Sequence, residues 1–278
     1  LAQLGRLVTS SRRGGDRPCD LGDPPALAEL LDEVAPEMIV NAAAWTAVDA
    51  AEDQAEAADR LNRSVPQALA AWCLQNDALL VHYSTDYVFH GQPGRAWTEG
   101  DEPRPACVYG RSKRAGEQAI AASGARAIIL RTAWLYSACP GNFLSAILAR
   151  AGRGEALRVV CDQVGSPTWA GSLAAMTADL LRHGSHAQGA RILHAADRGC
   201  MSWHEFAVMA VTMATEFGLI DEEVAVTAID SSQWPQRAPR PPWSVLDVAA
   251  MEAACARPLP TTRQALSACL DQWNLSPC

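Results

Sequence analysis

Residues 78–89, ALLVHYSTDYVF, and residues 108–120, VYGRSKRAGEQAI, decide how the rest of the chain is read. The first is a buried strand that ends in hydroxyls. The second opens a helix with Tyr109 and Lys113 four residues apart. Positions four apart share one helix face, ~6 Å along the axis, so both side chains can enter one cleft. A tyrosine is a poor acid, with a reference pKa of ~10. A lysine ammonium one turn away favours the phenolate and makes proton exchange with a carbonyl oxygen feasible. Ser84 or Thr85, at the end of the strand, could supply a third contact to that oxygen.

Tyr-x-x-x-Lys alone is equally the pattern of an ordinary surface helix. Its surroundings argue otherwise: a strand ending in Ser-Thr-Asp comes before it, and a Pro-containing loop, EGDEPRPACVYG (99–110), leads in. Together these resemble the extended short-chain dehydrogenase/reductases. HYSTDYVF (82–89), VYGRSK (108–113) and VNAAAWTAVDAAE (40–52) are similar to the dTDP-4-dehydrorhamnose reductase branch. The resemblance implies reduction of the 4-keto group of a nucleotide-linked 6-deoxyhexose with NADPH, or with NADH as the alternative.

Bulk properties agree with an enzyme of that kind. The 278 residues are 49% apolar, ample for a packed core, and the net charge of −8 argues against a general nucleic-acid binder. No apolar run is long enough for a membrane span and no leader pattern is present, so a cytoplasmic protein is expected. Nine scattered cysteines form no C-x-x-C; reduced thiols are expected, without a disulfide framework or metal site.

Outward from the central stretch, Arg6 to Ser10 reads as a short strand followed by Ser11, Arg12 and Arg13. In a Rossmann-type fold the adenosine ribose is read there, and a Ser-Arg pair suits a 2′-phosphate. The resemblance puts Asp20 and Leu21 beside the adenine. It puts Ala44, Trp45, Thr46, Tyr83, Tyr109 and Lys113 on the cofactor; Trp45 stands where the family often has His. A Rossmann half begins with a strand, a Gly-rich turn and a helix that precede the strand seen at Arg6. No such turn is found, and Leu1 to Gly5 reads as the tail of that first helix. The expectation is a reading frame lacking on the order of 17–20 residues.

Helix Pro24–Val34, strand Glu37–Ala44, an acidic helix from Asp49 to Asn62 and a further helix from Asn62 follow. In the family these helices can contribute to a homodimer. After the Tyr109 helix, where Glu117 reads as ordinary support for Lys113, comes the strand Ala127 to Leu135. It carries Arg131, Thr132 and Trp134 of an R-T-x-W-x-Y pattern that ends at Tyr136, and the resemblance lays Trp134 on the substrate. Segments 159–170, 173–183 and 191–195 lead into a helix from Trp203, capped by Ser202 with Glu205. His82 and His204 read as a satisfied core group and a capping or surface group. The Pro-rich stretch 231–247 reads as a cleft loop, with Arg240, Pro241 and Ser244 in the family pattern but Val245 where Arg is usual. A helix from Gln264 to Trp273 follows.

The expected fold is α/β, a Rossmann-type doubly wound parallel sheet with a smaller C-terminal substrate domain. Residues 1–160 would bind the dinucleotide, and 161–278 mainly the substrate, with segments returning to the first domain. The expected reaction reduces dTDP-4-dehydro-6-deoxy-L-mannose to dTDP-L-rhamnose. Tyr109, Lys113 and Thr85 are the catalytic set, and Thr85, Asp86 and Trp134 hold the sugar. The rival readings are a non-catalytic NADP-binding regulatory subunit, like the β subunit of methionine adenosyltransferase, and an inactive truncated reductase.

Overall fold

Strands that are apolar on both faces need cover on both sides, which helices wound between parallel strands provide. The computed structural model describes residues 2–92, 94–182 and 188–275. Strands β1 (Ser10–Ser11) and β2 (Gly14–Gly15) form a small antiparallel pair. Then come α1 (Pro24–Val34), β3 (Met38–Asn41), α2 (Val48–Ala51), α3 (Ala55–Asp59), α4 (Val65–Gln75), β4 (Leu79–Thr85), α5 (Val108–Ser123) and β5 (Ala127–Thr132). The chain continues through β6 (Leu135–Tyr136), α6 (Phe143–Ala151), β7 (Leu157–Val160), β8 (Val164–Gly165), β9 (Thr168–Trp169), α7 (Ala170–Arg182) and β10 (Ala190–His194). The remaining elements are β11 (Met201–Ser202), α8 (Trp203–Glu216), β12 (Val226–Ile229), α9 (Ala249–Cys255) and α10 (Thr262–Leu275).

The main sheet is parallel throughout, in the order β10-β5-β4-β3. Side chains alternate across it. Leu80, Ala127 and Ile129 pack on Leu27 and Leu31 of α1, Leu69 and Cys73 of α4, and Ile120 of α5. On the opposite face Leu79, Val81, Ile128 and Leu130 pack on Leu173 and Met176 of α7 and Met251 of α9. This is the doubly wound α/β arrangement. A further core joins α6, α8 and α10 around Leu144, Phe206 and Leu266.

Several expectations about elements change, among them the strand expected from Ala127 to Leu135, which ends at Thr132. Residues 6–9 are not a strand, because no strand among the described residues lies alongside them, and an unpaired strand has no partner for its backbone groups. The chain there turns instead into the β1–β2 hairpin, where Asp16 accepts the Thr9 N–H at 2.9 Å. Strand β3 is shorter than Glu37–Ala44. Among the described residues its outer edge carries no strand, so Met38, Ile39 and Val40 are only half-buried. The acidic stretch from Asp49 is two short helices, and α3 runs through a π-helical turn, Arg60–Ser64, into α4. Pro66 explains the turn: it has no N–H to give the carbonyl of residue 62, so the ladder widens. The helix that starts at 170 was expected to reach His183, which lies outside the described residues.

Candidate active site

Helix α5 has to approach β4 closely for its first turn to reach the end of that strand, and two glycines permit it. A Cβ on Gly110 would sit 2.3 Å from the Tyr87 carbonyl oxygen, and one on Gly116 would sit 2.1 Å from that of Asn62. The helix begins at Cys107, whose Sγ accepts the Gly110 N–H at 3.3 Å. Its buried face carries Ser112, Lys113 and Glu117.

Alternation along β4 sorts the candidates. Tyr83 points away from α5, and its hydroxyl meets the Thr177 hydroxyl on α7 at 2.8 Å; its carbonyl oxygen, however, accepts from Lys113 Nζ at 2.6 Å. Ser84 points toward α5 and donates to Glu117 Oε1 at 2.6 Å. That removes Ser84 as the third contact and leaves Thr85. Thr85 is in hydrogen-bonding contact with the Tyr109 side chain, accepts the Tyr87 N–H at 3.2 Å and donates to Asp86 Oδ1 at 3.1 Å. Tyr87 packs edge-on against Tyr109, with ring centroids 5.4 Å apart. Thr85, Asp86, Tyr109 and Lys113 are thus gathered at the carboxyl end of β4, where open α/β sheets bind ligands.

Burial sets the acid–base character of the group. It pushes the Tyr109 phenol up to about 12, with the Thr85 contact opposing. It brings the Lys113 amine down to about 8, with Glu117 opposing. It raises the Asp86 carboxyl to about 6, against the hydroxyls of Ser244 and Thr85, and Asp86 Oδ2 has no hydrogen-bond partner. A tyrosine, an amine that titrates close to neutrality and a hydroxyl donor can together polarise a carbonyl oxygen and protonate the alkoxide it becomes.

Glu117 is more than ordinary helix support. It is fully buried and gripped by both prongs of Arg131 at 2.8 Å, by Arg114 at 2.9 Å and by Ser84. Burial works to raise its pKa, but these partners hold the carboxyl below its usual value. The clasp fixes α5 against β4 and β5, and so fixes where Tyr109 and Lys113 stand.

The cofactor candidates divide into groups. Asn62, fully buried, accepts the Trp45 N–H at 2.8 Å, donates to the Trp45 carbonyl at 3.1 Å and reaches Ser112 of α5 at 2.9 Å. It therefore ties Ala44, Trp45 and Thr46 to the Tyr109 helix, a role the sequence reading did not assign. Ser11 ends β1 and Arg12 opens the turn that leads to β2, and both are exposed. Asp20 accepts the Gly22 N–H at 2.9 Å, and Leu21 packs at the edge of the α1–α4 core. Trp134 has φ 46°, a left-handed conformation rare for its type. It stacks on Trp203 with centroids 3.5 Å apart, above Gly165, where a Cβ would collide with the indole.

These residues fit the nicotinamide-ribose and adenosine ends of a dinucleotide: a buried amine one helical turn from a buried phenol, a backbone loop pinned at Trp45, and an exposed Ser-Arg pair. No Gly-rich turn for a pyrophosphate stands among the described residues. Nor do the described residues contain a cluster of three or more metal-ligating side chains or a helix long and apolar enough to cross a membrane.

Loop 231–247 closes over α2. Asp49 Oδ1 accepts the backbone N–H of Ala238 at 2.9 Å and of Arg237 at 3.1 Å, and Oδ2 takes Arg240 at 2.7 Å. Arg237 also pairs with Asp53. His204 is bonded through Nε2 to the Val226 carbonyl at 3.1 Å. Ser202 and Glu205 form the expected capping box.

Comparison with known proteins matches residues 2–275 to the RmlD substrate binding domain model. The chain is 37% identical over 277 residues to dTDP-4-dehydrorhamnose reductase of Burkholderia thailandensis, covering 97% of this chain and 92% of the relative. It is 36% identical over 242 residues to dTDP-4-dehydrorhamnose reductase of Escherichia coli K12, covering 87% and 81%. Among solved structures it is similar to dTDP-4-dehydrorhamnose reductase of Bacillus anthracis in complex with NADP, with TM-score 0.84, 28% identity and coverage of 91% and 87%.

Proposed function

The chain belongs to the RmlD substrate binding domain family, and from that premise we propose that it reduces dTDP-4-dehydro-6-deoxy-L-mannose to dTDP-L-rhamnose with NADPH. It is an oxidoreductase acting on a nucleotide sugar. One observation carries the assignment to particular residues: Thr85 bonds Tyr109, and Lys113, one turn along the same helix, bonds the Tyr83 carbonyl two residues before Thr85, in a chain that matches the family over nearly its whole length.

When bound, the cofactor supplies the hydride for the 4-keto carbon. Tyr109 gives its phenolic proton to the oxygen as that carbon is reduced. Thr85 hydrogen-bonds the same oxygen and steadies the charge that develops there. Lys113 recharges the phenolate: an ammonium that titrates at about 8 passes its proton downhill to a phenolate whose acid titrates at about 12. Ser11 and Arg12 would hold the 2′-phosphate, Asp20 and Leu21 the adenine, and the Ala44–Trp45–Thr46 loop with the Tyr83 carbonyl the rest of the dinucleotide. Asp86 and Trp134 place the sugar. Residues 1–160 are mainly the cofactor lobe and 161–278 mainly the sugar lobe.

The test is loss of NADPH absorbance on adding the dTDP-linked 4-keto sugar, with the product identified by NMR as the L-rhamnose configuration. Turnover to that sugar is expected. NADPH binding without turnover on any 4-keto nucleotide sugar would overturn the assignment in favour of a non-catalytic, cofactor-binding role.

A further inference from the structure

Beneath Lys113 lies a buried polar chain that the reaction as derived does not use. His82 is fully buried on β4. Its Nε2 is 3.3 Å from Lys113 Nζ, and its Nδ1 is 3.0 Å from Asn41 Nδ2 on the neighbouring strand β3. The orientation of Asn41 is fixed from the other side, because its Oδ1 accepts the Ala43 N–H at 3.1 Å. An amide nitrogen only donates, so His82 Nδ1 has to accept. The ring proton is therefore on Nε2, and it points at Lys113. A charged ring would set N–H against N–H at Asn41, and burial together with Lys113 keeps His82 neutral at ordinary pH.

The Lys113 end is equally constrained. An ammonium has three donors and no acceptor, whereas a neutral amine has a lone pair. Nζ already donates to the Tyr83 carbonyl. Facing Nε2–H, the amine is well matched and the ammonium is not. The other groups around Lys113 do not cancel this. On its own helix, Glu117 favours the ammonium but is committed to Arg131 of β5, Arg114 and Ser84. Tyr109 is neutral when protonated. Asp86, beyond the end of β4, is raised only to about 6 and is an anion where Lys113 titrates, but burial and Glu117, not Asp86, are what shift Lys113.

We propose that His82 and Asn41 act through Lys113 as a positioning pair: Asn41 fixes the imidazole with its proton on Nε2, and the N–H so aimed loosens the hold of Lys113 on its own proton. The inference rests on the reading of Lys113 as the group that recharges Tyr109, and it assigns to the pair the ease of that transfer. Neither residue touches the substrate. Without the pair, Lys113 would keep its proton to higher pH and surrender it to Tyr109 less readily.

The experiment uses Asn41→Asp in the full chain. A carboxylate accepts from Nδ1–H, which moves the ring proton off Nε2 and turns a lone pair toward the ammonium. Three readouts follow: the His82 tautomer from ¹⁵N shifts, the Lys113 titration from its ¹³Cε shift, and the alkaline limb of the pH dependence of kcat/KM. Reduction consumes a proton, so activity falls as pH rises through the Lys113 pKa. The wild type is expected to show the Nε2–H tautomer. The variant is expected to show Nδ1–H, with the Lys113 titration and the alkaline limb both moved up by about one pH unit, the worth of one hydrogen bond to a charged group. In a His82→Leu background the same Asn41 substitution should move the Lys113 titration by much less, since there is no ring to turn. An Nδ1–H tautomer in the wild type, an unmoved Lys113 titration in the variant, or an undiminished shift without the ring would each overturn the proposal. The two NMR arms need no turnover, so a chain that fails as a reductase still decides them.

Discussion

Glu117→Gln removes one charge from the clasp that seats α5. In the native chain the Arg131 side chain is 1% exposed and its two bonds to Glu117 are both 2.8 Å. Its third nitrogen, Nη1, already lacks a hydrogen-bond partner, although the cation lies 5.0 Å from the centroid of Phe89. With Gln at 117 a buried guanidinium stands uncompensated, at a cost of about 3–5 kcal/mol. An exposed ion pair such as Arg17–Glu33 would cost about 0–1 kcal/mol. Arg131→Met should cost less than Glu117→Gln, because Glu117 keeps Ser84 and the partly exposed Arg114. Changing both residues to Met should be milder than Glu117→Gln alone, since no buried charge is stranded at Arg131. The assay is urea unfolding of the three variants, read as a shift in midpoint at constant slope. The carboxylate's stabilising contribution is present in full above its unfolded pKa of ~4.3 and is lost as pH falls through its lower folded value. A Glu117→Gln midpoint within about 0.5 kcal/mol of wild type would refute the reasoning.

Gly116→Ala should destabilise by about 2 kcal/mol, despite the ~1 kcal/mol gained in helix propensity, because the new methyl meets the Asn62 carbonyl at 2.1 Å; the same unfolding assay reads it, and a more stable variant would contradict the close approach. Asp49→Ala frees the loop at Arg237, Ala238 and Arg240. Steady-state kinetics should show KM for the nucleotide sugar rising several-fold with kcat near its starting value, and an unchanged KM would separate this loop from substrate binding.

The legible parts of the chain were those whose signal is local. The ALLVHYSTDYVF strand, the Tyr109 helix and the Ser202 capping box stand where period and caps put them. The choice between Ser84 and Thr85 was not legible, because alternation along β4 places Ser84 with His82 on the side facing α5, and only its bond to Glu117 removes it. The strand expected at Arg6 failed for a non-local reason: a strand exists only beside another, and none of the described residues supplies one. The Glu117–Arg131 clasp links a helix to a strand fourteen residues on, and nothing in i, i+4 spacing announces it. The Asn41–His82–Lys113 chain crosses three elements and was hidden by the ordinary reading of a core histidine. Pro66 is a local cue to the π turn, but the bonds of Asn62 to Trp45 and Ser112 span 17 and 50 residues and have no local signature.

Tyr109 stands as the proton donor to the reduced sugar in the proposed reaction. The most direct measurement is turnover of the dTDP-linked 4-keto sugar by Tyr109→Phe, alongside NADPH binding followed by tryptophan quenching. NADPH binding close to wild type and a kcat reduced by at least about 10²-fold are expected. Wild-type turnover in the variant would contradict the role of Tyr109 and move the proton to another group at the end of β4.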